Sequence, residues 1–239
     1  MKTGEIFYII ADEVFSLEPE YMRGVVLAFD VANGKSPDEV TGLLRRAEAG
    51  IRERLDLEKL VDHPRIASWR EAYRAFGTKP NKFRPSMEAM ARRVLKDQEL
   101  PSINSLVDIG NIISLRHIIP VGGHAVDLVE NDICLRPATG EEEFIPFGSD
   151  QAENPMPGEI ILAEENIAVT RRWTWRQANH TLTLPSTTAI EFNVDGLPPV
   201  SRAEIETACR ELCDLIEKYC GGRIRFEILS RENPRMNIA

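Results

Sequence analysis

A chain of 239 residues, with 43% hydrophobic and 28% charged side chains, has the composition of a globular protein with enough length to bury a substantial core. A net charge of −9 argues against a general nucleic-acid binder and against DNA as partner. The cysteines at 134, 209, 213 and 220 lack paired Cys-x-x-Cys halves. They read as buried thiols of a reducing, cytoplasmic compartment rather than a metal site.

The N-terminal MKTGEIFYII has one lysine, and its apolar run is cut by Ala11-Asp12-Glu13. It reads as neither a signal peptide nor a membrane span. Residues 5–10 and 24–29 have the texture of short strands. Ser36-Pro37-Asp38-Glu39 predicts a helix start with Ser36 as cap and Glu39 closing a capping box. A second helix is predicted over 64–76, ended by Gly77. Pro80 and Pro85 then hold a basic loop extended. The next helix buries Met87, Met90, Ala91 and Val94 and carries Arg92, Arg93 and Lys96 on or beside its other face.

Pro101 to Arg116 predicts a further helix, with Ser102 as cap. It holds three polar residues that a core helix does not need: Asn104, Asp108 and Asn111. Asp108 reads as an anchor between helix and loop. Gly110 inside this helix costs roughly 1 kcal/mol relative to alanine, which points to close packing or a ligand. Gly122-Gly123 then allows a tight turn before His124.

Beyond His124 the pattern turns to strands. Hairpins are predicted for 125–130 with 133–136, and for 158–163 with 167–172. Further strands are predicted over 181–184, 187–194 and 223–229. Ser201 and Glu204 form a capping box for a helix reaching Tyr219. The tail RENPRMNIA reads as loose. Helices precede a run of antiparallel strands, so the fold class is α+β, helices packed on an antiparallel, barrel-like sheet core. Residues 1–60 read as strands and a helix packed on a main domain spanning 61–239.

Charge is polarised. Arg65 to Lys96 is strongly basic and Glu130 to Glu165 strongly acidic. Such a molecule steers a polyanion onto one face, here through Lys79, Lys82, Arg84, Arg92, Arg93 and Lys96. The alternative is a pair of solvated patches. No phosphate-binding glycine loop, nucleophile elbow or His-Glu-x-x-His is present, so neither a cofactor nor a metal is expected. His124 is either a titrating group at a pocket or a structural imidazole. Asn111 is either a ligand-binding amide or a brace for the following turn. In Arg171-Arg172-Trp173-Thr174-Trp175-Arg176-Gln177, an extended chain would put Arg172, Thr174 and Arg176 on one face and the tryptophans on the other.

Taken together, residues 101–111, 120–127, 76–86 and 171–177 resemble the B3/4 domain, the editing domain of the β subunit of phenylalanyl-tRNA synthetase, and more closely its free-standing homologues. The resemblance covers roughly 65–195. It implies a B3/4 fold and hydrolysis, in trans, of the ester between a wrong amino acid and the acceptor end of tRNA. It implies Asn111 and His124 as catalytic residues, and places Gly110, Asn104, Trp173, Arg172, Arg176 and Asn193 toward the substrate. Gly110 stands where the family has threonine. Asn193 stands where the family has the glutamate that recognises tyrosine, so another amino acid is expected. Two other readings stand beside this one: a module that binds tRNA or an amino-acid-like ligand without chemistry, and a hydrolase of small esters or amides.

Overall fold

Alternation along one strand sets the architecture. In the strand Ala189–Gly196 (β8), Ile190, Phe192 and Val194 face one side, and Glu191, Asn193 and Asp195 the other. The computed structural model describes residues 5–238. In it, β8 lies inside a four-stranded sheet between Val121–Ala125 (β3) and Met22–Phe29 (β2), with Arg223–Leu229 (β9) beyond β2. Its apolar side is covered by the helices Asp38–Arg54 (α2), Ser86–Val94 (α4), Ser105–His117 (α5) and Arg202–Cys220 (α6). Amphipathic spacing explains α2 and α6: Val40, Leu44, Ala47 and Ile51 are buried on α2, and Ile205, Ala208, Leu212 and Ile216 on α6. The capping box of Ser201 and Glu204 on α6 is present.

The other side of the four-stranded sheet meets a six-stranded sheet. Its order is β10-β1-β4-β5-β6-β7, built from Arg235–Asn237 (β10), Phe7–Ile10 (β1), Ile133–Pro137 (β4), Ile160–Glu164 (β5), Ile167–Arg171 (β6) and Arg176–Gln177 (β7). Only β1 with β4 is parallel among these pairs. Tyr8, Val25, Leu27, Ile133, Leu135, Leu162 and Val169 form the core on this side, with the helix Pro64–Ala75 (α3) adding Trp69 and Tyr73 and the short helix Asp12–Leu17 (α1) adding Val14 and Phe15. The fold is therefore α+β, with three layers: helices, four-stranded sheet, six-stranded sheet. β1 and β2, from the first sixty residues, lie within the two sheets. Among the described residues no helix is long and apolar enough to cross a membrane.

Several local expectations are corrected. The hairpin of 125–130 with 133–136 does not form, because β3 pairs with β8 while β4 pairs with β1 and β5 in the other sheet. A short 3-10 turn, Val126–Leu128, carries the chain across. Residues 181–184 form no strand; they are a loop tied to β3 through Ala125 N and Thr181 O. The tail is not loose, since β10 pairs with β1. Its last residue, Ala239, lies outside the described residues, as do residues 1–4 of the N-terminal segment. Pro37, not Ser36, precedes α2, and Asn104, not Ser102, caps α5. Both serine hydroxyls donate instead to buried Asp108, Ser36 at 2.6 Å and Ser102 at 2.5 Å, with the Ile103 amide at 3.0 Å. Asp108 thus anchors the chain before α2 and the entry to α5.

A polar cleft, an apolar chamber and a basic groove

The run 171–177 does not stay extended. β6 ends at Arg171, and Arg172 and Trp173 take φ of 48° and 62°, costly for side chains of this size. The turn is held by the Trp173 amide donating to the Ile160 carbonyl at 2.7 Å and the Arg172 amide to Glu159 at 3.2 Å. Glu159 itself is buried and forks onto Arg171. Trp173 is driven into the core, edge-on to Tyr21 and Trp69. The Arg172 guanidinium lies over both Phe83, 3.6 Å from the ring centroid, and Trp175, 4.4 Å from its centroid, and these two rings meet edge-on. Arg172 and Trp173 therefore act first as packing groups, contrary to the expected open face of cations.

The turn ending at Trp175, with Arg176 and Gln177 of β7, then reaches the edge of the six-stranded sheet, where all three share concavities with the glycines of β3. Between them lie two adjoining concavities. The smaller, of about 120 Å³, holds the cluster of polar side chains His124, Thr170, Thr174, Asn193 and Asp195 among its lining residues. The larger, of about 530 Å³, is walled by Ile103, Val107, Phe147, Leu182, Leu184 and Phe192, with Asn111 and Gly110 on its α5 side. Val121, Gly122, Gly123, Trp175, Arg176 and Gln177 line both. Asn111 and His124 thus stand on opposite sides of one glycine strand. The Asn111 side chain makes no hydrogen bond within the described residues, so its amide is available to a ligand.

Gly110 and Gly123 explain the close approach. A β-carbon would sit 2.9 Å from Phe192 Cε1 at Gly110 and 2.8 Å from it at Gly123. Both positions need glycine so that the Phe192 ring can form the chamber wall.

Of the two readings of His124, the burial matches the structural imidazole rather than a titrating group: the residue is 2% exposed. Its Nδ1 lies 2.7 Å from Thr181 Oγ1 and its Nε2 3.1 Å from Thr170 Oγ1. Burial, reinforced by Arg23 and His180, pushes its pKa down to about 3. The ring is neutral near pH 7, one nitrogen donating and the other accepting.

Beneath the cleft the polar side of β8 is continuous with a buried network. Arg23 Nε donates to Asp195 at 2.6 Å, Tyr21 donates to Asp195, and Arg23 donates to Tyr8. Asn193 Nδ2 donates to Asp195 at 2.8 Å. Glu191, the register partner of His124, is fully buried, and neither carboxyl oxygen has a hydrogen-bond partner among the described residues. Burial raises its pKa to about 8; Arg23 opposes the shift and Asp195 adds to it. Asn104, placed toward substrate by the sequence, is spent on structure. It accepts from Val107 N at 3.1 Å and donates to the Thr183 carbonyl at 2.9 Å.

The third concavity, of about 440 Å³, is a basic groove lined by Lys82, Arg84, Arg92, Arg93 and Lys96, and by Trp175. Lys79 is exposed outside its lining. The cations differ in freedom. Buried Glu88 takes Arg70 and Arg92 at 2.8 Å and Arg84 at 3.8 Å. Arg93 donates to the Glu99 carbonyl, while Lys82 and Lys96 have no ion pair within the described residues.

Thr170 and Asp195 line the cleft and Thr181 holds His124 from behind; none of the three stood out in the sequence. A threonine on a strand gives no signal of its own. Period-two alternation placed residues on strand faces without showing which faces meet.

The chain belongs to the B3/4 domain family, which matches residues 68–221. Among solved structures it is similar to an N-terminal fragment of the phenylalanyl-tRNA synthetase β-subunit from Pyrococcus horikoshii. The TM-score is 0.47 and the identity 11%, with 94% of this chain and 52% of that chain covered. The chain therefore spans about half the length of that fragment. Among curated proteins none matches the chain.

Proposed function

We propose that the protein hydrolyses misacylated tRNA in trans, cleaving the ester between a wrong amino acid and the terminal ribose. One observation carries this reading. Trp175 lines the basic groove, the polar cleft and the apolar chamber alike. A polyanion in the groove would deliver its end past an indole, a platform on which a terminal base can stack. The amino-acid side chain would fill the chamber and the ester would lie at the polar cleft. Asn111 and the chamber wall would hold the acyl group, and the site would work by orientation and fixed dipoles. His124, neutral and bonded at both nitrogens, would act by positioning rather than as a base. The purified protein is tested on a panel of mischarged tRNAs, reading release of the amino acid.

That same state of His124 favours a second reading, binding of aminoacyl-tRNA without chemistry. A protein that retains mischarged tRNA and releases no amino acid from it would be such a module.

A further inference from the structure

Thr170 and Gln177 are register partners across β6 and β7, so their side chains project from one face of the hairpin. Both line the polar cleft. Thr170 is the open end of a hydroxyl–imidazole–hydroxyl chain. Thr181 Oγ1 meets Nδ1 of His124, and Nε2 meets Thr170 Oγ1. Thr181 and His124 are buried, and Thr170 is half-buried. When Nε2 carries the ring proton, it donates to Thr170 Oγ1 and leaves the hydroxyl hydrogen free to point into the cleft.

Gln177 is oriented just as firmly. Its Nε2 donates to the Gly123 carbonyl at 2.9 Å and to the Thr181 carbonyl at 2.8 Å, and lies 3.3 Å from His124 Nδ1, a placement that suits an unprotonated Nδ1. The two carbonyls are acceptors only, so the nitrogen is fixed by chemistry and the amide cannot be flipped. Oε1 accepts no hydrogen bond from the described residues and is not sealed from solvent. A donor and an acceptor, each held from behind, therefore stand side by side at one wall of the cleft. With Nε2 protonated, no described protein group uses either.

We propose that Thr170 Oγ1 and Gln177 Oε1 recognise an α-amino ester, the hydroxyl donating to the ester carbonyl oxygen and the amide oxygen accepting from the α-ammonium. These two groups sit on adjoining carbons of any aminoacyl ester, which matches a donor and an acceptor on adjoining strand positions. The inference rests on the editing reading and deepens it. Thr170 becomes a catalytic residue, because its hydrogen bond strengthens as the carbonyl oxygen gains charge. His124 and Thr181 become positioning residues that act through it. Water adds to the carbonyl carbon and the bond to the ribose oxygen breaks. The ribose oxygen takes one proton from the water, and the amino acid leaves as carboxylate with release of the other.

The test uses the whole protein, a mischarged tRNA that it deacylates, and the same tRNA with its amino acid N-acetylated. Wild type is expected to prefer the free-amine substrate by tenfold or more. Thr170→Val, isosteric but without a hydroxyl, is expected to slow single-turnover deacylation roughly 10²-fold, and Thr170→Ser to restore most of the rate. Gln177→Leu is expected to abolish the preference for the free amine. Thermal melting identifies any variant that has lost its fold; for Gln177 the preference ratio is then read in Gln177→Met. Thr170→Val at the wild-type rate, Thr170→Ser no better than Thr170→Val, or equal use of free and acetylated amine by wild type would overturn the inference and leave the editing reading standing. A wild type that deacylates no tRNA of the panel would overturn both.

Discussion

Phe192 Cε1 lies 2.9 Å from the place a β-carbon on Gly110 would occupy. A helical glycine is thereby tied to a strand aromatic, and the pair sets the depth of the apolar chamber. Gly110→Ala would gain roughly 1 kcal/mol of helix propensity but force the ring or the helix to move, at roughly 1–3 kcal/mol. The expected net result in urea unfolding is destabilisation. Gly110→Thr is expected to destabilise more and to narrow the chamber. A stabilised Gly110→Ala would mean that the ring yields freely.

Glu191 supplies a pH prediction. Arg23 and Asp195 bear on it from the same sheet, and His124 is its register partner. Its folded pKa of about 8 lies above the usual carboxylate value. The folded chain therefore holds a proton that the unfolded chain releases. The associated stability is complete below pH about 4.5 and is lost as pH rises to about 8, by at most about 1.4 kcal/mol per unit. Glu191→Gln has no such dependence. Its melting temperature relative to wild type is expected to climb between these limits and level off above them. A difference that stays constant with pH would show that Glu191 is ionised throughout.

His124 supplies another. Held near pKa 3 by burial, it does not titrate between pH 5 and 8. The deacylation rate is expected to show no inflection near 6.5 beyond the smooth rise of hydroxide attack. A sigmoidal step centred there, absent in His124→Gln, would restore the histidine as a general base.

The basic groove separates free cations from spent ones. Lys82→Glu and Lys96→Glu are expected to weaken tRNA binding, each lost phosphate contact flattening the log–log salt slope by roughly 0.7–0.9. Arg92→Gln is expected to affect folding stability as much as binding, since Arg92 helps to neutralise buried Glu88. Equal effects from all three in a titration at several salt concentrations would contradict this division.

Much of the helical layer was legible in the sequence, because apolar spacing and the Ser201–Glu204 box act within one helix. The hairpin of β5 and β6 was legible because its two strands are joined by the short local turn at Glu164-Glu165-Asn166. The crossing from β3 to β4 was not. Asn131-Asp132 is a local turn signal, yet the pairing is decided by Phe192 docking on Gly123 and by Ile133 and Leu135 burying beside β1. The site shows the same split. Asn111 and His124 stood out as residue types in a motif, and the groove cations as a local excess of charge. The engagement of His124 by two threonines depends on β6 and the 178–188 loop meeting in space. So does the loss of Asn104 to a helix cap and of Trp173 to the core.

The most direct measurement is single-turnover release of the amino acid from a mischarged tRNA by wild type and by Asn111→Ala, with binding of uncharged tRNA followed alongside. Asn111 faces the chamber with its amide unspent, and the groove cations lie elsewhere. Release is expected from wild type and to be slowed roughly 10²-fold by loss of the positioning amide, with uncharged tRNA bound equally by both. Equal rates in the two proteins, or tight tRNA binding by a wild type that releases nothing, would contradict it.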